Sequence, residues 1–373
     1  MKKILICSTI LTTIKTFMIP HIRMLKEMGC RVDVAGQKDV EGLEEYADNV
    51  YDLPFRRTPL SALNRKACRK LKNIIQNNAY DAVHFHTPVA GAYGRWIAKG
   101  FRKKGLKVLY TAHGFHFYKG APLLNYMMYY PAEKFLARYT DILITINAED
   151  YDRAKKQIKA KEILYIPGVG VDTKRFFPDS SRKVYNRRSL DLPEDAFVIL
   201  SVGELNENKN HETVIRAVSL LNDPDIYYII CGYGIKMMYL TACVNDYNVK
   251  DNVKLLGFRD DVDEIYNLSD VFILPSYREG LCLSLMEAMS CKLPVICSNI
   301  RGNTDLIKDK SGGFLVSPKD VQGFADAVKK VKEDRLTADR MGDVNVKTVE
   351  KFTLPRILSE MKGIYEKIPD VKR

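Results

Sequence analysis

Apolar residues along this chain alternate between two textures. Short, nearly continuous runs read as buried strands: KKILICS (2–8), RVDVAG (31–36), DAVHFHT (81–87), KVLYTAH (107–113), DILITIN (141–147) and EILYIPG (162–168). A second set follows: FVILSVG (197–203), IYYIICG (226–232), VKLLG (253–257), VFILPS (271–276), LPVICS (293–298) and GGFLVS (312–317). Between the runs the spacing turns helical, as in FMIPHIRMLKEMG (17–29), closed by Gly29. Continuous apolar strands joined by helices predict parallel sheets covered on both faces. Two successive sets predict an α/β chain with two doubly wound, Rossmann-like domains.

Length agrees, since 373 residues exceed what one core usually supports. The polar, Pro-punctuated stretch at 178–195 is the expected join. It gives a first domain at 1–180 and a second at 190–354. The final helix, LPRILSEMKGIYEKI, carries a stripe of Leu354, Ile357, Leu358, Met361, Ile364 and Tyr365. With 355–373 it is expected to pack back on the first domain.

No apolar run approaches the roughly 18 residues of a membrane span. The basic start reads as a first strand, not a signal peptide. Eight scattered cysteines without a C-x-x-C pair read as buried thiols of a cytosolic protein. Charge divides unevenly: 30 Lys/Arg against 17 Asp/Glu through residue 180, then 28 against 29. A one-sided basic domain suits an anionic membrane, nucleic acid or a phosphorylated substrate. No nucleic-acid motif accompanies it. The Tyr- and Met-rich stretch at 118–139 reads either as an amphipathic core helix or as a surface meeting a lipid, beside the basic cluster at 99–107.

Ligands of such sheets bind beyond the carboxyl ends of the strands. VFILPS ends at Ser276, so Glu279 and Gly280 fall in the following loop. A helix beginning near Gly280 would aim the amides of Leu281, Cys282 and Leu283 outward as an anion site. Eight helical residues rise about 12 Å, which puts Glu287 on the far side of that site. Two acids flanking an anion site suit an extended nucleotide diphosphate sugar: one for sugar hydroxyls, the other for a ribose diol. His113 follows KVLYTA directly and can hydrogen-bond a sugar or packs on a carbonyl. His84 and His86 share one strand face. With His113 and His116 they suggest zinc, but no cysteine or carboxylate completes the set.

The element EGLCLSLME (279–287) resembles the E-x7-E motif of retaining glycosyltransferases of family 4, in the two-domain GT-B fold. VGELNENKNHETVIRA (202–217), YIPGVGVDTKRF (165–176) and SNIRGNTDLI (298–307) are similar to further family segments, in order. FMIPHIRMLKEMGCRVDVAG and YPAEKFLARYTDILITIN look like the capsule and exopolysaccharide branch. The resemblance spans essentially the whole chain and implies two domains facing across a cleft. It implies catalytic roles for Glu279, His113 and Lys209. Donor binding would fall to Gly203, Glu204, Lys209, Gly234, Arg259, Gly280, Leu281, Cys282, Leu283 and Glu287. Acceptor candidates are Lys15, Thr16, His86, Phe115 and His116.

Glu204 stands where many relatives carry an arginine, and Arg259 or an amide near Gly234 is the expected substitute. The first loop also lacks the family's glycine-rich turn. The resemblance implies a nucleotide-sugar donor, expected to be UDP-linked, and a lipid-linked, polyprenyl diphosphate acceptor. No obligatory metal or other cofactor is expected. The place of action would be cytoplasmic, on the inner face of the membrane. A nucleotide-sugar epimerase and an NAD-dependent oxidoreductase are the alternatives; neither half carries G-x-G-x-x-G after its first strand.

Overall fold

Strands form where β-branched and aliphatic residues run together, and each apolar run named above contributes one. The computed structural model describes residues 1–179 and 187–369. Part of the polar join, 180–186, and the last four residues of the chain lie outside them. The strands are β1 (Lys3–Ile10), β2 (Arg31–Gln37), β3 (Asn49–Asp52), β4 (Ala82–His86), β5 (Lys107–Ala112), β6 (Ile142–Thr145) and β7 (Glu162–Tyr165). The second set is β8 (Phe197–Val202), β9 (Ile226–Cys231), β10 (Val253–Gly257), β11 (Val271–Leu274), β12 (Val295–Ser298) and β13 (Gly313–Val316). The edge strand β3 is the one the apolar pattern misses. It is four residues long, NVYD, and none of them is fully buried.

The strands build a seven-stranded sheet, β3-β2-β1-β4-β5-β6-β7, and a six-stranded sheet, β10-β9-β8-β11-β12-β13. Every pairing is parallel. Parallel strands need crossovers and bury both faces. Leu5, Phe85 and Tyr110 face one layer of the first sheet, while Ile4, Leu109 and Ile144 face the other. In each sheet the chain winds outward from the middle and then reverses. The reversal lies between β1 and β4 in the first and between β8 and β11 in the second, where such sheets open to ligands.

The chain divides into two compact units, Met1–Val169 with Pro355–Arg373, and Gly170–Leu354. The division precedes the polar stretch at 178–195 because 171–176 is bonded into the second unit. The Val171 amide donates to the Phe352 carbonyl at 2.9 Å, and the Leu354 amide to the Val171 carbonyl at 2.8 Å. The final helix, Leu354–Glu366, presents Ile357, Met361, Ile364 and Tyr365 to the core of the first unit. Among the described residues no helix is long and apolar enough to cross a membrane. None of the eight cysteines forms a disulfide, and seven are buried.

Candidate active site

The loops leaving β8 and β11 stand side by side at the reversal of the second sheet. Asparagines join them. Asn208 Nδ2 donates to the Arg278 carbonyl at 2.8 Å, and the Tyr277 amide donates to the Asn208 carbonyl at 2.8 Å. Asn210 Nδ2 reaches the Pro275 and Pro318 carbonyls at 3.0 and 2.8 Å. Short amide side chains suit this work, because they tolerate the left-handed conformation Asn210 adopts, at φ 55°.

Between the stitches sits Lys209. Its ammonium lies 2.8 Å from Glu279 Oε1 and 3.7 Å from Cys282 Sγ. The stem crosses Gly203, where a Cβ would come within 3.0 Å of Lys209 Cε, so a larger residue would press the stem aside by a few tenths of an ångström. Burial works against the charge, but the neighbouring Cys282 thiol and Glu279 carboxylate outweigh it and raise the Lys209 pKa. Both side chains are about one-seventh exposed, at 15% and 13%. Such a pair leaves the ammonium largely desolvated, a state in which it could bind an anion strongly. The Cys282 contact, invisible in the motif, follows from thiol and lysine converging from two neighbouring loops.

The helix carrying Glu287 runs Leu283–Ser290, starting three residues later than expected. Cys282 holds an extended conformation as its N-cap, with Sγ 3.2 Å from Ser284 Oγ. A crossing loop keeps the approach extended. Gly302, at φ 79°, lies so close that a Cβ would stand 2.3 Å from the Gly280 carbonyl oxygen. The amides of Leu281, Cys282 and Leu283 therefore belong to an extended strap and the helix start, and not to one helical turn. Among the described residues none of them donates to a backbone carbonyl.

Glu287 is half-buried on that helix and accepts from the Tyr266 hydroxyl at 2.9 Å. Burial raises its pKa from 4.5 to about 7, against the pull of the Tyr266 bond and of Arg175. Tyr266 had no motif to announce it. Its signal was only its place in the apolar helix before β11.

The remaining donor candidates fare unequally. Arg259 pairs on its own loop, its Nε donating to Asp261 Oδ1 at 2.8 Å. An arginine two residues from an aspartate on a tight loop closes locally before it reaches outward. Glu204 is exposed. Gly234 packs on the Leu205 carbonyl, where a Cβ would come within 2.4 Å, so the loop after β9 lies directly on the loop after β8.

In the first unit, His86 closes β4 and His113 follows β5. His86 Nδ1 lies 2.9 Å from His113 Nε2, and the His84 and His86 rings are 4.2 Å apart. His84 itself bonds the Tyr365 hydroxyl at 2.5 Å and Thr111 at 2.8 Å. Burial lowers His84 to about 3 and His113 to about 4, so both imidazoles are neutral near pH 7. His116 stands apart, stacked on Tyr129 at 4.5 Å. Phe115 does not reach a ligand surface: it is buried on Phe117, at 4.7 Å, and its amide donates to Asp150. The alternating F-H-F pattern turned both phenylalanines inward. Lys15 and Thr16 are exposed on the helix Leu11–Phe17, which follows β1 without a loop; the Lys15 ammonium donates to the Glu41 carbonyl at 2.8 Å. Among the described residues no cluster of three or more His, Cys, Asp or Glu is placed to hold a metal.

Two sheets of this order, with a lysine and a glutamate converging at the second reversal, define a class, and comparison with known proteins agrees. Residues 184–347 match the family described as Glycosyl transferases group 1, and residues 6–147 match Glycosyl transferase 4-like. EpsD of Bacillus subtilis, described as a glycosyltransferase, is 37% identical over 99% of this chain and 98% of its own. A UDP-Gal:alpha-D-GlcNAc-diphosphoundecaprenol alpha-1,3-galactosyltransferase of Escherichia coli is 32% identical over 80% of this chain and 79% of its own. The chain belongs to this glycosyltransferase family. Solved relatives share the fold: a sucrose-phosphate synthase from Thermosynechococcus elongatus has a TM-score of 0.81 at 21% identity, covering 98% of this chain and 99% of its own. HepE of Anabaena in complex with UDP-glucose has 0.79 at 18%, covering 98% and 100%. The fold is GT-B, and the protein is a glycosyltransferase.

Proposed function

We propose that the chain moves a hexosyl or N-acetylhexosaminyl group from a UDP-linked sugar to a hydroxyl of a polyprenyl diphosphate-linked oligosaccharide, with retention, in capsule or exopolysaccharide synthesis. The observation that carries the reading is the convergence of Lys209 and Glu279 at the reversal of the second sheet. The Escherichia coli relative is named for a UDP-sugar donor and a diphosphoundecaprenol acceptor, which supports these classes here.

In this reading the bond from the anomeric carbon to the leaving phosphate breaks, and its electron pair departs with the diphosphate. Lys209 and the amides of Leu281–Leu283 take up the growing charge. The acceptor oxygen attacks from the face just vacated. Its proton passes to the departing phosphate oxygen, so the products are the glycoside and the nucleoside diphosphate. Glu279 holds hydroxyls of the transferred sugar, and Glu287, once ionised, accepts from a ribose diol. Neutral His113, braced by His86, offers a hydrogen bond without adding charge. Lys15 and Thr16 remain acceptor candidates. Cationic and amide donors meet the charge demand without an obligatory metal. The protein acts in the cytoplasm, in peripheral contact with the inner face of an anionic membrane.

A panel of nucleotide sugars, scored for thermal protection and for transfer in the presence of a chelator, tests the reading. One UDP-sugar should protect the protein and support transfer. Glu279→Gln should lower kcat by about 10²–10³ while the protein stays folded. Near-normal turnover would remove Glu279 from its role. Release of an isomerised nucleotide sugar without acceptor would identify an epimerase instead.

A further inference from the structure

The helix Leu123–Leu136 is firmly seated yet turns apolar residues to solvent. Its inner face is fixed by Glu133, which meets the fully buried Arg95 at 2.9 Å, and by Leu136. Arg95 also stacks on Tyr110, at 3.9 Å. On the outer side Leu123, Leu124, Met127, Met128 and Phe135 are between 42% and 75% exposed. Leu124, Met128 and Phe135 follow the i, i+4, i+11 spacing of a single stripe. The stripe ends against Trp96, itself 45% exposed, whose ring lies 5.8 Å from Phe135.

Cations surround this end. Lys99 lies over Trp96 at 2.9 Å, and Arg138 stands 5.9 Å from the Phe135 ring. Each aromatic thus carries a cation one turn further along its own chain segment. Carboxylates are nearly absent: from Ala82 to Thr140 the sequence holds nine Lys/Arg and one acid, Glu133, which the Arg95 pair removes from the surface.

We infer that the exposed stripe Leu124–Met128–Phe135, with Trp96 and the cations Lys99 and Arg138, docks on an anionic lipid bilayer. Apolar side chains enter the interface, aromatic rings sit at headgroup depth, and cations meet lipid phosphates. A second copy of the chain suits the surface less well, because a two-fold contact would bring the same cations together. The inference extends the membrane part of the proposed function and is independent of the transfer chemistry.

Trp96 is the single tryptophan of the chain, so its emission reads the surface directly. Full-length protein is mixed with phosphatidylcholine vesicles, with or without phosphatidylglycerol. Anionic vesicles should shift Trp96 emission to the blue, brominated acyl chains should quench it, and salt should reverse both. Leu124→Glu with Met128→Glu should weaken partition by about tenfold or more. Lys99→Glu and Arg138→Glu should each weaken it by about fivefold or more. Thermal melts of these surface variants should match wild type. Absence of an emission shift, an equal response to neutral vesicles, or unimpaired binding by the variants would overturn the inference. So would a concentration-dependent dimer abolished by Met128→Glu. No sugar enters the measurement, so its failure leaves the transferase reading to its own assay.

Discussion

Glu287 shows how a buried carboxyl can work against the stability of its own fold once it ionises. Its carboxyl titrates near pH 7 when folded, against 4.5 ordinarily, because burial disfavours the charge. A raised carboxyl pKa favours the folded state below pH 4.5, and this contribution is lost as pH rises toward 7. Glu287→Gln keeps an acceptor for the Tyr266 hydroxyl and removes the ionisation. The variant should therefore melt higher than wild type at pH 8, with the gain shrinking through pH 7 and gone below about 4.5. Donor affinity should fall at the same time. Melting curves across pH check the first expectation; a gain that is constant with pH would contradict it. The pair Glu279 and Glu287 was legible in EGLCLSLME, where two acids interrupt an apolar run. Their partners were less so. Cys282 meets its partner where two loops come together and Tyr266 where two helices pack, and no spacing rule announces either contact.

At the scale of elements, the strands were legible because buried parallel strands carry nearly unbroken apolar runs. The exception, β3, is a half-exposed edge with little apolar area to declare it. Helix starts were harder. The first loop, expected in STILTTIKTF (8–17), is absent: β1 runs to Ile10, and Leu11 and Ile14 bury a face that makes Leu11–Phe17 helix. The start at Leu283 instead of Gly280 is set from outside, by Gly302 lying against the Gly280 carbonyl. That contact can be tested. Gly302→Ala combines a positive φ with a backbone clash, and should cost about 1–3 kcal/mol of stability. It should also raise the donor KM, since the strap 280–283 must move. Unchanged KM, with or without lost stability, would separate the strap from donor binding.

For the whole molecule, two units share one chain, and the C-terminal helix belongs to the first of them although it follows the second in sequence. Its apolar stripe was visible; which core received it was settled by packing. Ile357→Ala should destabilise the first unit by about 2–5 kcal/mol. Trp96 reports that unit alone, so its unfolding transition in denaturant should move to lower concentration. An unmoved transition would show the helix to be dispensable to that core. The basic excess likewise sorts by unit: the first carries the cation-rich surface, while the second holds the desolvated Lys209 ammonium at its sheet reversal.

That ammonium is the centre of the account, and calorimetric titration with UDP examines it most directly. Wild-type protein should bind UDP, and Lys209→Met should bind it about 10–100-fold more weakly, with both proteins folded. Equal affinity in the two would show that the diphosphate lies elsewhere and would contradict the site described here.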